Sequence, residues 1–536
     1  MARTDKQSNA GNLILILVAM VLGVLIGLMF ASKPLAQSNQ TTLQGKVDEV
    51  LDLVESRYVD DLDADSLSER LLSAMLSELD PHSSYFSAVA TEDNYEKMRG
   101  SFDGVGLILH REGDTTFIGQ VLADGPSVGS GLLPGDMILT VDGVTVSGVG
   151  MPADSVVARL RGASGSKVEV KVLREGDMEI SYTLRRGRVP HHTLPYATML
   201  TDTIGYIRLT SFASTSYDEF HTALRQLKRQ GMRHLVFDLR GNGGGALNTA
   251  TEIAGELLPA GSLIVYTKGA HQRRHDIYSH IGGMFTTGGV TVMVDENSAS
   301  ASEVVSGALQ DNDRAIVVGR RTFGKGLVQT ECQLSDGSSV LLTTARYYTP
   351  SGRCIQRSYA DGTEEYYREY FSQLIDEVYA DSMTVAIFDS TPYQTVGGRT
   401  VYGGGGIAPD VPIPYRKDSS FVYVNRLSNK GLISKIAFDY VKYNARTLLN
   451  RYPDADAFRR NYQPEEFLLQ RLVTKGEKWG IPKDTRSLQR QRSYILALLK
   501  ANIGQSLYGE RGFYDTYTTY DDDLQRVLDM LKQKKL

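Results

Sequence analysis

The sequence predicts a multidomain α/β protein: a helical N-terminal region, a β-rich domain, an α/β core and a helical C-terminal extension. Three observations carry that prediction. Apolar residues recur at helical spacings before about residue 98 (Val47, Val50, Leu51, Val54; Leu67, Leu71, Leu72, Met75, Leu76, Leu79), and the stretch after about residue 419 reads as helices rich in Tyr, Arg and Leu. From Phe102 to about Val189 the texture changes to short alternating runs (VGLIL, TFIGQVL, VEVKVLR) separated by Gly, Asp and Ser, with one helical stretch at 152–160. From Thr203 to about Thr349 strand-like runs (IGYIRL, HLVFDL, LIVYT, VTVMVD, AIVVG) alternate with helical ones, the rhythm of βα units around a buried sheet. A length of 536 residues accommodates three or four such units, at roughly 150 residues each.

Residues 13–31 (LILILVAMVLGVLIGLMFA) carry no charge, and as a helix of about 28 Å they match the hydrocarbon thickness of a bilayer. Arg3 and Lys6 precede them, which predicts a cytoplasmic N-terminus and translocation of everything after Lys33. The run exceeds the apolar core of a signal peptide, about 7–15 residues. A single-pass inner-membrane anchor with a periplasmic body is therefore favoured over a cleaved leader that releases the chain to the periplasm. The expected segments are 1–40, anchor or signal and linker; 41–101, helical; 102–189, β-rich; 190–415, α/β core with an insertion at about 358–400; and 416–536, helical.

Composition excludes several classes. The 58 basic and 63 acidic side chains give a net charge of -5, with no electrostatic footprint for nucleic acid. Cys332 and Cys354 are the only cysteines, in no zinc-binding spacing; one bridge or two free thiols both fit. Two glycine motifs invite a nucleotide reading. Gly241-Asn-Gly243-Gly244-Gly245-Ala246 has the form of a dinucleotide fingerprint but no clear opening βαβ unit. Gly319 to Lys325 begins like a phosphate-binding loop, yet Gly326 stands where Ser or Thr must reach magnesium, and a strand follows instead of a helix.

A different chemistry suits these residues better. Ser300, in Asn297-Ser-Ala-Ser300-Ala301-Ser-Glu303, follows a strand and opens a helix, where free N–H groups and the helix dipole favour a nucleophile and its oxyanion. Ser300-x-x-Glu303 is also a capping box, the commoner role for such a serine. All nine histidines precede this cluster, and none forms a recognisable triad motif. A lysine serves as base if its site desolvates it enough to make it neutral. Lys325, in Phe323-Gly-Lys-Gly326, is the candidate.

Together these residues resemble the C-terminal processing peptidases (tail-specific proteases), PDZ-containing serine proteases with a Ser-Lys dyad. The resemblance spans most of residues 42–413. It rests on Leu79-Asp-Pro-His82-Ser, similar to the family's N-terminal helical motif, and on Gly205-Tyr-Ile-Arg-Leu-Thr-Ser-Phe212 and Asp238-Leu-Arg-Gly-Asn242-Gly-Gly244-Gly245, although the family commonly has Pro where Gly243 stands. Ser298-Ala-Ser300-Ala-Ser302-Glu303, Gly307-Ala-Leu-Gln-Asp-Asn312, Thr322-Phe-Gly-Lys325-Gly and Gly406-Ile-Ala-Pro-Asp410-Val complete it.

The resemblance implies a crotonase- or ClpP-like core in which Ser300 is the nucleophile, Lys325 the base and Gln329 a residue that positions the lysine. Strand periodicity would place Gln329 on the same face as Lys325. The oxyanion hole would be the N–H of Ala301 with that of Gly244 or Gly245. No metal or cofactor is needed. Residues 102–189 resemble a PDZ domain, with Gly104-Val105-Gly106-Leu107 as its carboxylate-binding loop and Leu132-Leu-Pro-Gly135-Asp136 as a characteristic turn. Arg161 lies where some relatives contact the catalytic domain. The implied partners are unstructured or C-terminally exposed polypeptides, with a homodimer as the expected assembly. The alternative, from another class, is a catalytically silent PDZ scaffold that binds C-termini.

Overall fold

A computed structural model describes residues 42–280, 282–379 and 391–534. The apolar run at 13–31, and with it the expected membrane segment, lies outside the described residues. Among the described residues no helix is long and apolar enough to cross a membrane. The chain divides between Leu71 and Leu72 into two compact units. In the first, the helix Leu43–Arg57 starts at Thr42, whose Oγ1 accepts the Gly45 N–H at 3.2 Å, and buries none of its side chains.

The second unit opens differently from the expected continuous helical pattern. After the helix Ala64–Ser77, residues 79–83 make a turn, and Ser84–Phe86 is a strand paired antiparallel with Ser339–Tyr348 before the helix Ala88–Arg99 begins. Pro81 disfavours helix at Asp80, and the Asp80 carboxylate accepts the N–H groups of His82 and Ser83 at 2.8 Å each. The motif Leu79-Asp-Pro-His82-Ser is thus a turn, not a helix.

The β-rich segment forms an antiparallel sheet in the order Leu107–Glu112, Thr115–Val121, Met137–Val141, Lys167–Arg174, Met178–Arg185, with Val144–Thr145 beside the third strand. In KVEVKVLR, Val168, Val170 and Val172 turn into a core with Ile118, Ile138 and Val156, the last from the helix Ala153–Leu160. The strand Leu107–Glu112 is at the sheet edge.

The core holds two sheets rather than one. Five of its strands, Ile204–Arg208, His234–Asp238, Gly289–Val294, Ile316–Gly319 and Val411–Pro412, are parallel neighbours, with Tyr196–Met199 antiparallel at one edge. The run LIVYT, strand Leu263–Lys268, instead pairs with His275–Tyr278 and Ser339–Tyr348, and Leu327–Gln333 lies on the other side of Ser339–Tyr348. One face of the parallel sheet packs on Phe220, Leu224, Ile253, Ala254, Val304 and Ala308 from three helices. The other face, with Tyr206, Val236, Met293 and Val318, is closed by Leu524, Val527 and Leu528 of the C-terminal helix Asp522–Lys532. Both faces are covered, as a parallel sheet requires.

The helices from Ser420 onward have their own core around Leu427, Ile436, Val441, Leu472 and Leu499. They also dock on the β-rich domain. Phe438 packs 4.1 Å from the His110 ring, the Lys442 ammonium sits 3.7 Å above the Phe117 ring, and Glu112 accepts from Lys435 at 2.5 Å and Lys442 at 3.4 Å. A Cβ on Gly135, whose φ is 95°, would lie 2.5 Å from the Lys442 Cα, so only glycine lets these backbones meet.

Candidate active site

The strand Gly289–Val294 and the helix Ala301–Asp311 are joined by a turn stitched to the loop 239–246. Ser298 Oγ donates to the Leu239 carbonyl at 2.8 Å, Asp295 Oδ1 accepts the Gly241 N–H at 2.9 Å, and the Asn242 carbonyl accepts the Ala299 N–H at 3.0 Å and Ser302 Oγ at 2.8 Å. At the end of this turn Ser300 takes φ 54° and ψ -113°, a conformation that costs a residue with a side chain about 1–3 kcal/mol. Glu303 Oε2 accepts the Ser300 N–H at 2.8 Å, so the carboxylate half of the expected capping box forms.

Lys325 lies in the loop before the strand Leu327–Gln333, not in the strand, and the register shifts between Val328 and Gln329. The expected two-residue alternation therefore does not relate Lys325 to Gln329. A direct bond does: Lys325 Nζ donates to Gln329 Oε1 at 2.6 Å, and Gln329 Nε2 donates to the His82 carbonyl. Among the described residues, Ser300 Oγ and Lys325 Nζ are not hydrogen-bonded to each other. Burial pushes the Lys325 ammonium below the ordinary lysine range, with Asp80 and Glu303 pulling it partly back. Burial, and then the adjacent Lys325, bring His82 down to about 4, so its ring is neutral beside the Tyr366 hydroxyl, 3.2 Å away.

A cavity of about 340 Å³ brings Ser300, Ala301, Lys325 and Gln329 together with Gly243 and Gly245; Met98, Leu247, Val304 and Leu327 give it apolar walls. The two candidate glycines part here. Gly244 is buried and donates its N–H to Asn242 Oδ1 at 2.9 Å, whereas Gly245 is exposed and lines the cavity. Gly244 is needed for another reason: a Cβ there would lie 2.8 Å from both the Ala299 oxygen and Ser300 Cβ.

The loop Gly104-Val105-Gly106-Leu107 leads into the edge strand Leu107–Glu112, with the Val105 carbonyl held by Ser127 Oγ at 2.6 Å and Gly106 pressed against Gly125. Arg161 donates to Glu96 at 2.8 Å, on the helix Ala88–Arg99 whose Asn94 and Met98 line the Ser300 cavity. Cys332 and Cys354 are both free thiols. The sequence reading missed the turn at 79–83 and the Tyr347 hydroxyl, which reaches the Ser300 carbonyl at 3.2 Å. For the turn, Asp80-Pro81 was the available signal; for Tyr347 there was none.

Comparison with known proteins identifies the domains. Residues 203–365 match peptidase family S41, residues 104–181 a PDZ domain, and residues 423–509 a family of unknown function. A carboxy-terminal-processing protease of Bartonella bacilliformis is 33% identical over 316 residues, covering 58% of this chain and 71% of that protein. A carboxyl-terminal-processing protease of Synechocystis is 38% identical over 266 residues, 48% of this chain and 61% of its own. Among solved structures, a photosystem II D1 C-terminal processing protease aligns at 25% identity with a TM-score of 0.35, over 68% of this chain and 86% of that one. A peptidase core and a PDZ domain are thus joined in one chain. The chain belongs to the carboxy-terminal processing proteases of peptidase family S41.

Proposed function

We propose that this protein is a cell-envelope endopeptidase that cleaves unstructured or C-terminally exposed polypeptides through Ser300 and Lys325. The observation that carries the reading is the shared cavity: a strained serine at a strand-to-helix junction, a lysine whose burial favours its neutral form, and Ala301 and Gly245 in the lining beside them. Neutral Lys325 turns from Gln329 to take the Ser300 proton, and Oγ attacks the scissile carbonyl. The oxyanion that forms is met by the N–H groups of Ala301 and Gly245. The ammonium then protonates the leaving amine, and water, deprotonated by the same lysine, releases the acyl group and restores the serine. Gln329 holds the lysine at rest and returns it after each transfer.

The PDZ domain captures a substrate tail as an added strand on the edge Leu107–Glu112, its carboxylate in the loop 104–107. The envelope placement is supported by the sequence of residues 13–31. The test is digestion of an unfolded protein with an apolar C-terminus by the full chain in detergent, beside Ser300→Ala and Lys325→Ala. Cleavage by the parent alone is expected; cleavage by either variant would remove that residue from the mechanism.

A further inference from the structure

We propose that Glu303 and Tyr347 are paired positioning residues that lock the Ser300 turn and the Lys325 loop into one unit, the carboxylate holding both N–H groups and the phenol donating to the Lys325 carbonyl where it lies beside that of Ser300. The inference rests on reading Ser300 and Lys325 as the dyad. These residues come from separate segments, and no direct bond sets their spacing.

Glu303 is fully buried. Its Oε2 accepts the N–H of Ser300 at 2.8 Å and of Lys325 at 2.9 Å, and its Oε1 accepts the Gly324 N–H at 2.8 Å and Thr322 Oγ1 at 2.6 Å. Those four donors match the lone-pair sites of a carboxylate, about four. A helix cap would need only the Ser300 N–H; the other three donors belong to the lysine loop. On the opposite side the buried Tyr347 hydroxyl lies 3.2 Å from the Ser300 carbonyl and 2.5 Å from the Lys325 carbonyl. The single phenolic proton goes to the nearer Lys325 carbonyl, while the Ser300 carbonyl beside it also accepts the N–H groups of Glu303 at 2.8 Å and Val304 at 3.0 Å, so the two side chains meet both dyad residues at the backbone. Burial pushes the Glu303 carboxyl up to about 7, opposed by those donors.

The experiment compares the full chain with Glu303→Gln, Tyr347→Phe and Ser300→Ala in the same peptide cleavage assay, with melting curves for each. Glutamine keeps the shape but has one acceptor oxygen. A displacement near 1 Å costs on the order of 10²-fold in rate, so Glu303→Gln should lower kcat by about that factor while KM stays within about twofold. Tyr347→Phe should lower kcat by less, again at constant KM, and the double variant should fall short of the product of the two, because both act on one unit.

A pH profile separates positioning from mere folding. Lys325 is faced by Asp80 and His82 from the turn and by Glu303 from its helix, and Glu331 of the strand Leu327–Gln333 lines the same cavity. Removing the Glu303 charge lowers the lysine further, so the acid limb of kcat/KM should move to lower pH in Glu303→Gln and stay in place in Tyr347→Phe. Folded Glu303→Gln with kcat within twofold of the parent overturns the proposal. If that variant does not fold, unchanged kcat in Tyr347→Phe overturns it, and a reduced kcat at constant KM supports it. Cleavage that survives Ser300→Ala instead removes the dyad reading, and this inference with it.

Discussion

The cavity at Ser300 and a larger one of about 620 Å³ between the strand ends and the C-terminal helices both open beside the carboxyl ends of the parallel strands, where α/β sheets commonly bind ligands. They treat charge in opposite ways. In the larger cavity every arginine has its carboxylate: Arg208 with Asp238 at 2.7 Å, Arg240 with Asp238 and Asp521 at 2.7 Å each, Arg320 with Glu296 at 3.0 Å and Asp523 at 2.9 Å, and Arg416 with Asp522. In the smaller one, among the described residues, the lysine Nζ bonds only a neutral amide oxygen. Matched charges hold elements together; a cation kept without a carboxylate partner is ready to give up its proton. Position at the strand ends selects both cavities, and charge compensation tells them apart.

The sharpest break in this contrast is Ser300→Ala or Lys325→Ala, which should reduce kcat by on the order of 10⁴-fold or more without lowering the melting temperature. Asp521→Asn attacks the other cavity. Asn keeps the N-cap bond to the Leu524 N–H but strips the buried Arg240 of one of its two carboxylate partners, Asp238 remaining, a change that costs about 1–3 kcal/mol. Denaturant titration should show that loss, with kcat unchanged well below the melting point.

Next in size is the pH profile of the parent. Because burial lowers Lys325, kcat/KM should rise with pH and level off below the ordinary lysine range; a limb at or above it would mean that the lysine is not desolvated in the working enzyme. The smallest effect concerns His192, between Glu219 of the core and Asp124 of the PDZ domain, which raise it to about 9. A folded pKa above the unfolded one stabilises fully below about 6.5 and is lost as pH rises through about 9. Melting temperatures between those pH values should fall in the parent and flatten in His192→Gln.

Much of this was legible in the sequence because motif and period are local. Ser300, Lys325 and Gln329 sit in short strings, and Leu524, Val527 and Leu528 show a helical stripe. What that stripe packs against is not local, and neither is the partner of LIVYT, whose pattern fits a strand in either sheet. Glu303 was visible only as a cap because three of its donors lie 19 to 22 residues further on. The choice between Gly244 and Gly245 needed the Asn242 side chain, whose bond to Gly244 no spacing announces.

The contact of Gly135 with the Lys442 backbone sets a limit on modular exchange. A foreign PDZ domain grafted in place of residues 102–189 can keep its own fold and its own peptide groove, yet any side chain at the position of Gly135 would wedge the helix Leu432–Arg451 away, and Lys435 and Lys442 lose Glu112 with the segment that carries it. In a chimera, this one glycine has to travel with the C-terminal helices rather than with the domain that contains it.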